Sequence, residues 1–135
     1  ISKTGEFVIN LTTEEMAFVT DYMGVKSGRN IDKFGFDESE FDGKLKLTKS
    51  PSQFVKAPGI AESPVNLECK VTQVLELGSH DMFIAEVLST DIDEKYLDEN
   101  GRFDLSKAKL LAYSHGEYYG LGEYLGKFGY SVKKK

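Results

Sequence analysis

The stretch VNLECKVTQVLELGSHDMFIAEVLST, residues 65–90, decides the fold class. Val65, Leu67, Cys69, Val71, Leu75 and Leu77 fall on one phase of it, and Asn66, Glu68, Lys70 and Glu76 on the other. Alternation of this kind predicts a half-buried strand, because successive side chains of a strand point to opposite faces of a sheet. Gly78-Ser79-His80-Asp81 interrupts the pattern, and MFIAEVLST then returns, apolar on both faces except at Glu86. Two strand-like runs around a polar, glycine-bearing break predict a hairpin with His80 near its bend. Taken alone, one histidine beside a turn reads as a solvent-facing polar residue.

Upstream of this hairpin, Phe7, Ile9 and Leu11 alternate as a second strand would. TTEEMAFVTDYMG follows and predicts a helix, with Thr12 as cap, Glu15 as its capping-box partner and Gly24 as the left-handed stop. Met16, Val19, Tyr22 and Met23 recur at helical spacing and form its core-facing stripe. VKSGRNIDKFGF is a polar loop in which Ile31 and Phe34 anchor one short helical turn. Residues 35–64 read as loop with one short strand, KLKLT, since Pro51, Pro58 and Pro64 leave no room for a long regular element. A segment of this kind carries function or covers another surface. Downstream, Asn100-Gly101 marks a tight turn, SKAKLLAY a short helix or strand, and YYGLGEYLGKFGYS an irregular aromatic wrap. Repeats and linkers are absent, so residues 1–135 read as a single domain, mainly β with minor α.

Composition narrows the function. With 17 Lys+Arg against 22 Asp+Glu the formal net charge is −5, which offers nothing to nucleic acid or an anionic membrane. Lys133–Lys135 form a solvated terminal tail. No apolar run reaches the roughly 18 residues of a membrane span, and the single cysteine excludes an internal disulfide framework. A cytoplasmic protein is the expectation. Cys69, on the apolar phase of its strand, reads as a buried structural thiol. The nucleophile elbow, the phosphate-binding loop, the dinucleotide fingerprint and zinc-spaced Cys/His pairs are all missing. In DIDEKYLDENGR the position where a calcium loop needs glycine holds Tyr96, so no metal is expected.

Six pieces in order, TGEFVINL, GVKSGRNIDKF, APGIAESPVNLECKV, LELGSHDMFIAEVLSTDIDE, LDENGRFD and YYGLGEYLGKFG, give the chain a close resemblance to the flavin reductase-like family that includes flavoredoxin. The resemblance implies an FMN-binding split β-barrel, a homodimer with flavin at the subunit interface, and transfer of hydride or electrons between NAD(P)H, flavin and an acceptor. It also implies site residues: Ser27 and Gly28 of the SG turn and Lys33 of the DKF motif beside the flavin, and His80 of the LGxH turn at its rim as the catalytic candidate. Tyr113 is the aromatic over the ring, with Tyr118 and Tyr119 as nearby alternatives. Such groups suit a flavin, since a lysine meets a phosphate or a reduced ring, glycine admits close backbone approach, and an aromatic side chain stacks on isoalloxazine. Chemistry of this type needs no protein nucleophile. His115 has no motif behind it and reads as surface.

Family members carry further residues before the GEFVIN strand, including barrel strands and the Asn, Ser/Thr and Arg groups that hold the FMN phosphate and ribityl chain. The resemblance therefore implies a chain lacking the N-terminal part, one that binds FMN weakly or not at all by itself. The alternative reading is a non-catalytic split-barrel remnant or binding module that has lost half of the flavin site.

Overall fold

The computed structural model describes residues 1–35 and 47–132. Its centre is an antiparallel sheet of order β1-β4-β5, built from β1 (Glu6–Asn10), β4 (Val65–Glu76) and β5 (Asp81–Ile92). Two short antiparallel pairs stand beside it: β2 (Lys49–Ser50) with β3 (Gly59–Ile60), and β6 (Leu111–Ser114) with β7 (Glu117–Gly120). The helices are α1 (Ala17–Val25) and the single turn α2 (Leu105–Ala108). Among the described residues no helix is long and apolar enough to cross a membrane.

The hairpin forms as its alternation predicts. Leu77 N donates to His80 O at 3.0 Å, and Gly78 takes φ +86°, which an L side chain would resist. Along the ladder two irregularities occur, between Glu68 and Cys69 and between Val71 and Gln73. Leu88 is the extra residue on β5 and Thr72 the extra residue on β4, and the Thr72 hydroxyl donates to Ile84 O at 3.1 Å. Cys69 is buried, as its phase predicts, and burial pushes its thiol pKa up.

The helix differs from the sequence expectation at both ends. Leu111 N donates to Thr12 O at 2.9 Å and Thr13 bridges Leu110, so the backbone stays extended through Thr13 and Thr12 does not cap. A 3₁₀ turn, Glu14–Met16, precedes α1. Gly24 lies inside the helix, which closes when Lys26 N donates to Tyr22 O at 3.0 Å. The stripe itself is as expected: Met16 and Val19 are buried, with Tyr22, Met23, Leu47 and Ile60 packed against them. Around Ile31 and Phe34 there are turns rather than a helical turn, closed by Asn30 N to Ser27 O and Gly35 N to Asp32 O, both at 3.1 Å. Of KLKLT, residues 44–46 lie outside the described residues, and the strand pairing described next to it covers Lys49 and Ser50.

Glu68 departs furthest from expectation. On the polar phase of β4 it is 1% exposed, enclosed by the segment that follows Pro51. Burial pushes its pKa up, but backbone N–H groups of Gln53, Phe54 and Val55 and the Asp91 side chain outweigh this and hold it below the usual carboxylate range. Asn100-Gly101 turns as predicted, with Gly101 at φ +73°. Residues 105–114 divide between α2 and β6, and Tyr118 and Tyr119 join β7 ahead of the irregular tail.

Candidate functional site

The C-terminal half of α1 gathers most of the residues singled out in the sequence. Lys33 Nζ donates to Met23 O at 2.5 Å, so a cation sits where the helix leaves carbonyls unpaired and its dipole is negative. That bond folds the 27–33 loop back onto the helix end. A Cβ at Gly28 would lie 3.8 Å from Lys33 Cε, so the glycine passes directly beside the lysine stem. Ser27 turns this loop: its Oγ accepts from Arg29 N at 3.3 Å and its carbonyl from Asn30 N at 3.1 Å. Ser27, Gly28 and Lys33 therefore come together.

Tyr113 also faces this helix. The β6–β7 hairpin turns through His115 (φ +54°) and Gly116 (φ +85°), both left-handed, the two-residue geometry whose twist matches antiparallel strands. His115 is thus an exposed turn residue. The hairpin register sets Tyr113 opposite Tyr118, with ring centroids 5.0 Å apart and planes tilted by 56°. Both rings line an open groove of about 460 Å³ whose opposite wall is Thr20, Asp21, Gly24 and Val25 of α1. The Asp21 carboxylate lies close to Tyr118, whose phenol pKa is raised by desolvation and by the Asp21 charge. Tyr113 is 67% exposed and free to stack on a flat ligand. Tyr119 instead pairs with Glu117 and takes no part in lining this groove.

Asp21 and Tyr118 are the members that sequence reasoning missed or left as an alternative. A carboxylate on the exposed face of a helix carries no signal of a tyrosine almost a hundred residues later.

His80 stands apart. It is exposed at the tip of the β4–β5 hairpin, its Nδ1 3.0 Å from Ser79 Oγ, and it does not line the tyrosine groove. Among the described residues no cluster of three or more His, Cys, Asp or Glu could hold a metal ion.

The C-terminal half of α1 thus carries an open aromatic groove, and the loop bonded to its last turn carries a hydroxyl and a cation. The sequence profile described as "Flavin reductase like domain" matches residues 1–122. The chain belongs to the flavin reductase-like family. A relative from Aquifex aeolicus, named only as an uncharacterized protein, is 32% identical over 116 residues, 86% of this chain and 55% of the relative. Among solved structures, flavoredoxin of Desulfovibrio vulgaris (Miyazaki F) superposes with a TM-score of 0.82 at 31% identity, over 98% of this chain and 68% of that one. A protein with a split barrel domain from Shewanella frigidimarina superposes at 0.69 with 20% identity, over 94% of this chain and 61% of that one, and speaks for the fold alone. The fold class is therefore the mainly β, split-barrel class of this family. The chain spans little more than half the length of the curated relatives it matches.

Proposed function

We propose that the protein is an FMN-dependent NAD(P)H oxidoreductase, acting as a flavin reductase or as a flavoredoxin-like electron carrier, and working as a homodimer in the cytoplasm. The observation that carries this reading is that the Ser27–Lys33 loop and the Tyr113/Tyr118 groove each abut the C-terminal half of α1, in a chain 31% identical to a flavoredoxin.

In this reading Tyr113 offers its ring face to the isoalloxazine, while the Tyr118 ring, 5.0 Å away and tilted against it, fixes the direction of that face. Lys33 leaves Met23 O for the ligand's phosphate or for the electron-rich edge of the reduced ring, and Gly28 lets the backbone approach. When bound, FMN supplies the hydride chemistry. The chain supplies binding, orientation and electrostatics. His80 has the role of orienting the nicotinamide or donating to the flavin from the rim.

Purification of the full-length protein with added FMN, followed by anaerobic addition of NADH or NADPH, tests the reading. A yellow protein whose flavin absorption bleaches on mixing supports it. A colourless protein that takes up no FMN and consumes neither nucleotide overturns it in favour of the non-catalytic module.

A further inference from the structure

Four consecutive backbone N–H groups of residues 53–56 all end on carboxylates of the sheet. Gln53 N donates to Glu68 Oε1 at 2.8 Å, and Phe54 N and Val55 N donate to Glu68 Oε2 at 2.7 and 3.1 Å. Lys56 N donates to Glu6 Oε2 at 2.9 Å. Further along, Ile60 N is shared by Asn10 Oδ1 at 3.0 Å and Asn66 Oδ1 at 3.2 Å, and Asn66 Nδ2 returns a bond to Ile60 O. Glu6 and Asn10 of β1 and Asn66 and Glu68 of β4 share one face, since Glu6 pairs with Lys70, Val8 with Glu68 and Asn10 with Asn66. Side chains that would otherwise meet water thus hold a strap of main chain.

Successive N–H groups turned to one side make an anion-binding concavity. Here the anion belongs to the chain itself. Both Glu68 oxygens accept, so a proton on either one sets a donor against a donor at a side chain that is 1% exposed. Ladder bonds of β1, β4 and β5 need no carboxylate and survive that protonation.

We propose that residues 53–56 are an acid-releasable strap, latched over β4 by Glu68 and secondarily by Glu6, which opens by protonation while the sheet stays paired. The charged groups facing Glu68 are Asp91 of β5, on the same face of the sheet, Glu6 of β1, Lys70 of β4 and Lys56 of the strap. Both lysines are exposed and screened by water, so the backbone N–H groups are the principal partners of the Glu68 charge.

Amide hydrogen exchange on the full chain, read as protection factors per residue, tests this. In Glu68→Gln, only one oxygen remains to accept, and protection at residues 53–55 should fall at least about tenfold while the β4–β5 amides keep theirs. In Glu6→Gln the loss should be confined to Lys56. Unchanged protection at 53–55 in a folded Glu68→Gln protein overturns the proposal. Should that variant not fold, acid titration of the unaltered chain decides: amides 53–55 must lose protection together before the sheet does, and a single transition shared by strap and sheet overturns the latch.

Discussion

The two halves of β4 have similar sequence patterning and different fates. From Val65 to Cys69 every residue is buried or half-buried, and Glu68 disappears beneath the strap. Beyond Lys70 the same strand rises into a hairpin whose Val74, Leu77, Met82 and Ile84 remain 42–59% exposed. Alternation tells which side chains share a face, and what lies over the face settles burial. Over the covered half, Glu68 of β4 and Glu6 of the neighbouring β1 hold the strap, whereas among the described residues no such strap lies over the open half.

Changes in the covered half should therefore cost most. Glu68→Ala leaves three strap N–H groups without their acceptor and is expected to lower unfolding free energy by about 3 kcal/mol, measured by urea denaturation. A loss similar to that of an ordinary surface substitution would put the two halves on equal footing. The same variant should be less sensitive to acid. With its folded pKa depressed, Glu68 contributes stability that is present above its unfolded pKa, about 4.3, and is lost as pH falls through the folded value. Melting curves at neutral and acid pH should therefore converge for the two proteins on the acid side.

At the helix end, Lys33→Ala is expected to weaken FMN binding about tenfold in the full-length protein, by flavin fluorescence titration, with stability nearly intact. Equal affinity would return Lys33 to the role of a helix cap. The smallest effects belong to the hairpin tip. Val74→Thr and His80→Ala should each shift stability by no more than about 0.5 kcal/mol. A fall in nucleotide oxidation in His80→Ala without a fall in stability would then mark a functional histidine on a structurally indifferent turn.

Local signals were legible in the sequence. The β4–β5 alternation, the glycine turns at Gly78 and Gly101 and the Met16/Val19 stripe follow from neighbours a few residues apart. Thr12 misled because the backbone there is claimed by Leu111, nearly a hundred residues away, and Gly24 misled because Tyr22 O accepts from Lys26 N, so the helix runs past it. Glu68 was placed on the right face, but no pattern within β4 announces that residues 53–55 will cover it. Family motifs, not local pattern, single out Ser27, Gly28, Lys33 and Tyr113, whereas Asp21 and Tyr118 lie close together on a helix and a strand that share no local pattern.

Leu88 and Thr72, the two surplus residues of the long hairpin, offset one another, so both ends of β4 and β5 keep a common register while the middle is displaced. Length changes in this hairpin are consequently correlated. Removing either residue alone would slide one end of the ladder past the other and turn its side chains to the opposite face. Removing both would leave the ends aligned, so tolerated deletions here come in pairs, one from each strand.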